Sequence, residues 1–188
     1  MRGSGTVRRS TFALNEADTG AGIQNAVGTL SVSNSTFAGN TTLDGPGGGI
    51  DNRGTLTLAS STFYGNSAPE GAGIENEGTA TLSNTLIAGS QGGNCSGAFD
   101  ASSTSNMSDD PTCGPGFLQV GLADLNLGPL GDNGGPTQTI ALGPGSVAID
   151  AGDNTATAGL ITDQRGSSFP RIVNGRVDVG AFEVQRAS

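Results

Sequence analysis

Two carboxylates at equivalent points of successive repeats, Asp51 and Glu75, are the residues best placed to do chemistry, and each is followed two positions later by another charge, Arg53 and Glu77. If the repeats stack as strands, Asp51 and Glu75 stand about 5 Å apart. That separation suits a retaining glycoside hydrolase, whose carboxyl groups serve as nucleophile and acid/base. Carboxylates beside an arginine, in a chain without histidine, equally suit Ca²⁺-assisted elimination on an acidic polysaccharide. Asp51, Glu75, Glu77 and Arg53 are therefore the catalytic candidates. The competing reading is a solvated polar face on which Arg53 and Glu77 form a cross-rung ion pair worth well under about 1 kcal/mol. That reading is the better supported. Sugar clefts present aromatic platforms, and this chain has a single Tyr, Tyr64, and no Trp.

Composition narrows the metal chemistry. With no His and two Cys, zinc and copper sites and every Ser–His or Cys–His nucleophile drop out. Oxygen donors remain, so Ca²⁺ is the cation the sequence allows, and no cofactor is required. Asp18, Asp44 and Glu70 recur in the variable loop of each repeat and could share a Ca²⁺ with backbone carbonyls; loop solubility explains them equally well. Asp132, Asp150, Asp153, Asp163 and Asp178 mostly adjoin Gly or Asn, which predicts Asx-turn capping, with Asp163 paired to Arg165. Cys95 and Cys113 lie in a Ser/Asn/Gly/Asp-rich segment without CxxC spacing. They suit a loop-closing disulfide made in an oxidising compartment; two unrelated free thiols are the alternative.

The charge balance sets aside one class of partner. Seventeen acidic residues face eight arginines and no lysine, a net charge of -9, and such a surface repels the phosphates of nucleic acid. No stretch approaches the roughly 20 apolar residues of a membrane span. The opening MRGSGTVRRSTF lacks the apolar run of a signal peptide, and residues 1–9 read as a linker left by a cut from a longer chain. With 33 Gly and 8 Pro against seven Phe and one Tyr, the composition disfavours a helical bundle and favours β-structure with many turns.

The elements that would position these side chains are visible as repeats over residues 10–90. Ser10-Thr11-Phe12, Ser35-Thr36-Phe37, Ser61-Thr62-Phe63 and Thr85-Leu86-Ile87 recur at steps of 25, 26 and 24 residues. Within each repeat come a variable loop, a Gly-Ile-x-Asn motif and a short strand of period two, such as Thr29-Leu30-Ser31-Val32. Strands this short cannot bury an apolar face alone, so the chain must coil and lay each repeat on the last. Coiling puts Ile23/Ile50/Ile74, Leu30/Leu56/Ala80, Val32/Leu58/Leu82 and Phe12/Phe37/Phe63/Ile87 in four internal columns. Asn25, Asn52 and Asn76 share the parity of the Ile column and are expected to form an inward amide ladder. The predicted fold is thus an all-β parallel β-helix. Residues 91–127 form the cysteine loop region, and 128–188 a non-repeating C-terminal cap that covers exposed strand edges.

Three segments carry a resemblance. GPLGDNGGPTQTIALGPGSVAIDAGD at 128–153, DQRG at 163–166 and RVDVGAFE at 176–183 resemble the C-terminal signature of bacterial choice-of-anchor Q proteins. The GGGIDNRGTLTLASSTFYGN repeats are similar to the β-helical repeats of that family and of polymorphic outer-membrane proteins. The resemblance implies a right-handed, pectin-lyase-like β-helix, export from a bacterial cell, and attachment through an anchor outside this chain. It also supports the Cys95–Cys113 pairing, and it brings no catalytic residues. Val147 departs from the usual Pro, and Ser167-Ser168-Phe169 lengthens the stretch after DQRG. The function expected is a secreted or cell-surface module, structural, adhesive or glycan-contacting, with a polysaccharide-active enzyme as the alternative. Its partners would be extracellular polysaccharide or other surface proteins. An open solenoid edge predicts some self-association.

Overall fold

The computed structural model describes residues 3–157 and 159–185. Among the described residues, three long parallel sheets run side by side along a solenoid of about four turns, with a short parallel pair, Glu16–Ala17 and Thr41–Thr42, beside them. Sheet I stacks Ser4–Arg8, Thr29–Ser33, Thr55–Ala59 and Thr79–Ser83. Sheet II stacks Thr11–Ala13, Thr36–Ala38, Thr62–Tyr64, Leu86–Ala88, Asn106–Ser108 and Phe117–Gln119. Sheet III stacks Ile23–Asn25, Ile50–Asn52, Ile74–Asn76 and Cys95–Gly97.

The registers place the four internal columns as the repeats predict, with Leu30 against Leu56 against Ala80 and Ile23 against Ile50 against Ile74. Identical rings then stack. Phe12, Phe37 and Phe63 lie nearly parallel at centroid spacings of 4.8 and 4.5 Å, a spacing the strands themselves impose. At the inner corner Asn25 Nδ2 donates to Asn52 Oδ1 and Asn52 Nδ2 to Asn76 Oδ1, both at 2.7 Å. A second amide ladder runs from Asn15 to Asn40 to Asn66, with bonds of 2.7 and 2.9 Å. Buried side-chain amides satisfied in this way lock the rung register, since a slip would orphan every member.

The last turn is closed by the disulfide. Cys95 continues the Ile column in register with Ile74 and is bonded to Cys113, the Cα atoms 4.8 Å apart. Both cysteines are buried in the solenoid core, with Phe99 and Phe117 packed against the same cluster. A bridge spanning 18 residues contributes about 3 kcal/mol through the unfolded chain. Cys95→Ser/Cys113→Ser is therefore expected to lower the thermal midpoint by roughly 6–12 °C for a domain of this size, measured by circular dichroism.

From Leu122 onward the chain runs back along the flank of the solenoid and covers the outward face of sheet II. The outward column there reads Thr36, Thr62, Leu86, Met107 in register, and its covering changes to match. Leu125, Leu142, Ala148 and Val179 pack on Leu86 and Met107. Lower down, Thr36 Oγ1 donates to Gln164 Oε1 at 2.6 Å, and the Ala181 N–H donates to Thr62 Oγ1 at 2.9 Å. Among its described residues the flanking segment contains one antiparallel strand pair, Leu127–Gly131 with Thr139–Leu142, and two isolated antiparallel bridges, Thr162 with Pro170 and Val173 with Arg176. A buried charge network holds the rest. Arg165 pairs with Asp163 at 2.6 Å and lies between the rings of Phe169 and Phe182, 3.9 and 3.8 Å from their centroids. Arg171, fully buried, donates to the carbonyls of Asp178 and Gly180 and stands 3.7 Å from Glu183.

The Asp163–Arg165 pair and the Asx turns at Asp132 and Asp153 are present as expected. Asp178 behaves differently. Its carboxylate accepts the distant N–H groups of Asp150 and Val184, at 2.7 Å each, and clamps two strands of chain together.

Candidate functional site

Sheet III carries the candidate column, Gln24 beside Asp51 beside Glu75 beside Ser96. Because Ile50 and Asn52 point into the core, Asp51 points out of the solenoid, as strand alternation requires. It does not reach water. Asp51 is 0 % exposed and Glu75 7 %, which corrects the expectation of a solvated polar face. The cause is the loop that precedes each strand. Gly47 and Gly71 adopt φ of 71° and 55°, a left-handed turn that folds the loop backbone onto the second residue of the strand. A Cβ at Gly47 would stand 2.8 Å from Asp51 Cβ, and one at Gly71 2.6 Å from Glu75 Oε2. The glycines permit a roof that any side chain would lift.

Under the roof the charges are partly matched. Gln24 Nε2 donates to Asp51 Oδ2 at 3.3 Å, and Arg53 Nε sits 3.5 Å from Asp51 Oδ1 and 3.4 Å from Glu77 Oε2. Glu77 and Arg53 themselves are about half exposed, so the Arg53–Glu77 pair is the surface pair foreseen, and such pairs contribute little. No hydrogen bond reaches Asp51 Oδ1 or Glu75 Oε2. Burial pushes the Glu75 carboxyl above the ordinary range, helped by the charges of Glu70, Glu77 and Asp51 and opposed by the Ser96 hydroxyl. Two neighbouring carboxyl groups, one of them raised by burial, are the raw material of an acid/base pattern. A general acid must nevertheless touch the proton acceptor of its substrate; Asp51 has no surface to offer, and Glu75, 7 % exposed with its Oε2 buried, offers only a sliver.

The loop acids Asp18, Asp44 and Glu70 are exposed. Glu70 Oε1 accepts from Ser96 Oγ at 2.8 Å. Among the described residues no group of three or more Asp, Glu, His or Cys side chains converges as a metal cage. Tyr64, the only Tyr, packs against the cluster beneath the flanking segment, so it provides no platform for sugar on sheet III.

Sequence reading missed a further set of residues, at the corner between sheets I and II. Arg9, Asn34, Ser60, Asn84 and Ser105 occupy this corner in successive turns, all with φ between 47° and 53°. Asn tolerates that conformation best among them. Asn34 and Asn84 use it to hold the flanking segment, donating from Nδ2 to the carbonyls of Thr162 and Asp153 at 2.8 and 2.9 Å. The recurrence of a polar residue one place before Ser10, Ser35, Ser61 and Thr85 was the available signal.

The buried carboxyls set the pH dependence of stability. Burial raises Glu75, Asp178 and Glu183, the last to about 8. A raised carboxyl stabilises the fold below its unfolded value and loses that contribution as pH climbs through the folded value. Asp100 and Asp153 are lowered by hydrogen bonds from Ser102 and Thr155, so they lose their contribution as pH falls. The thermal midpoint is expected to peak between about pH 4 and 6 and to fall toward about pH 8.5. A midpoint that rises steadily across that interval would contradict these assignments.

No family model, curated protein or solved structure matches the chain. What stands from structure is a parallel β-solenoid of about four turns, closed by a disulfide.

Proposed function

We propose that the chain is a secreted or cell-surface bacterial β-solenoid module of the choice-of-anchor Q type, structural or adhesive, which contacts glycans or neighbouring surface proteins and performs no catalysis. The observation that carries this reading is the sealing of Asp51 and Glu75 beneath the loops at Gly47 and Gly71. A column built to do chemistry would be open to substrate. The resemblance at 128–153, 163–166 and 176–183 supports export and a bacterial surface. The Cys95–Cys113 bridge accords with an oxidising compartment, and no helix among the described residues is long and apolar enough to cross a membrane.

A polysaccharide-active enzyme is the second reading, favoured by the raised Glu75 beside Asp51. A turnover screen on polygalacturonate, alginate, xylan and starch separates the two. It should be run with and without EDTA, so that a Ca²⁺ held by loop acids is also tested, and on the wild type beside Asp51→Asn/Glu75→Gln. The module reading expects no turnover in any arm. Turnover in the wild type that disappears in the folded double variant would establish the enzyme reading.

A further inference from the structure

The first turn of the solenoid ends in an open edge. Ser4–Arg8, Thr11–Ala13 and Ile23–Asn25 are the outermost strands of sheets I, II and III and pair on one side only among the described residues. The core is unfinished there. Val7, Phe12 and Ile23 are only partly buried, whereas Phe37, Phe63, Ile50 and Ile74 in the later turns are wholly buried. Phe12 stacks on Phe37, and among the described residues no ring covers its other face.

The far end of the solenoid is different. The N–H groups of Asp100 and Thr104 donate to the carbonyls of Ala80 and Leu82 at 2.8 and 3.0 Å, Ser103 Oγ accepts from the Leu82 N–H at 3.1 Å, and Thr112 Oγ1 accepts from the Cys95 N–H at 3.0 Å. Those bonds cap sheets I and III. Sheet II ends there on Phe117–Gln119, and the stretch around it, residues 113–123, carries no charge.

At the open end the edge of sheet II offers a defined pattern. The Thr36 N–H donates to the Ser10 carbonyl and the Leu14 N–H to the Ala38 carbonyl, at 2.9 and 3.0 Å, so Ser10, Phe12 and Leu14 turn their backbone groups toward the next turn. By the alternation of a parallel ladder, Thr11 and Ala13 turn theirs toward the open end. An edge of this kind is a template for another strand. Unmatched charge flanks it on both sides. Arg8 and Arg9 precede the strand, Glu16 and Asp18 follow it, all four are exposed, and none belongs to an ion pair among the described residues.

We propose that this edge docks a second copy of the chain, the two Thr11–Ala13 strands pairing antiparallel about a two-fold axis that passes perpendicular to sheet II at Phe12. Thr11 of each copy then lies opposite Ala13 of the other, the two exchanging both N–H···O bonds, and Phe12 meets Phe12 at the close, non-hydrogen-bonded position. Inward side chains stay inward, because the axis is perpendicular to the sheet. The same axis sets the Arg8–Arg9 side of each strand along the Glu16–Asp18 side of the other, so the charges are complementary twice over. An interface made of the same patch on both copies closes at two. The assignment goes beyond the surface-module reading and does not rest on it.

Sedimentation equilibrium of the intact chain over a wide concentration range tests it, together with hydrogen exchange read residue by residue. A reversible monomer–dimer equilibrium is expected, with nothing larger, and exchange at the Thr11 and Ala13 amides should slow as dimer forms. Arg8→Glu/Arg9→Glu and Glu16→Arg/Asp18→Arg, all at exposed positions, should each keep the thermal midpoint and weaken self-association about tenfold or more, since like charges then face each other. Mixed together, these two variants should form a heterodimer. Ala13→Pro, which removes a donor facing the open end, should abolish the dimer. A monomer at every concentration would overturn the proposal and leave the edge to a strand of another protein. So would a dimer that both charge variants retain at full strength, exchange at Thr11 and Ala13 that ignores concentration, or open-ended growth into larger species. None of these results bears on the turnover screen, so the two conclusions fall separately.

Discussion

Arg165→Ala is expected to destabilise the protein by about 3–5 kcal/mol, the range for breaking a buried ion pair and leaving its partner behind. Asp163 is fully buried, and its Oδ2 accepts from Arg165 Nε, Arg165 Nη2 and the Glu183 N–H. Removing the guanidinium leaves that carboxylate with backbone donors alone. It also empties the space between Phe169 and Phe182, where the cation gains from both ring faces. The thermal midpoint should fall on the order of 10 °C. Arg165→Met/Asp163→Asn should recover a large part of the loss, because the unpaired charge is then gone. If the single variant unfolds no more readily than the wild type, the flanking segment is not held by this network.

Asn52→Ala is expected to be the most damaging change within the solenoid, at roughly 3 kcal/mol. Asn52 sits at the centre of its ladder and is fully buried. It accepts from Asn25 and donates to Asn76 and to the Thr79 carbonyl at 3.2 Å. Alanine orphans the Asn76 Oδ1 acceptor, worth about 1–3 kcal/mol when left buried and unmade, takes from Asn25 Nδ2 the shortest of its three bonds, leaving the carbonyls of Gly28 and Thr55 at 3.2 Å, and opens a small void in the core. Asn15→Ala, at the exposed end of the second ladder, should lose about 1 kcal/mol or less. Urea titrations of the two variants read the contrast. Equal losses would mean that the amides act singly and not as a ladder.

The parts of the fold readable in advance were those that keep the period. The Phe and Ile columns and the Asn25–Asn52–Asn76 ladder follow from strand parity, because no turn interrupts the count between Ile23 and Asn25 or their equivalents. The Asn15–Asn40–Asn66 ladder escapes the same count. Asn40 and Asn66 follow Gly39 and Gly65, whose φ of 63° and 64° reverse the parity. Parity also set Asp51 and Glu75 facing outward, but the roof above them depends on left-handed turns at Gly47 and Gly71 inside loops of variable sequence. The flanking segment has no period to read. Its one trace in the repeats is Leu86, an apolar residue at the outward position that Thr36 and Thr62 occupy in earlier turns.

Carbodiimide labelling of the native protein, with each carboxyl quantified by peptide mass spectrometry, tests the central claim most directly. Glu77, 56 % exposed at its side chain, and the exposed loop acids Asp18, Asp44 and Glu70 serve as internal references. The account predicts rapid modification of these four, with Asp51 and Glu75 protected until the fold is opened by denaturant. Modification of Asp51 and Glu75 at the rate of Glu77 in the folded protein would contradict it and return both carboxylates to the list of groups a substrate can reach.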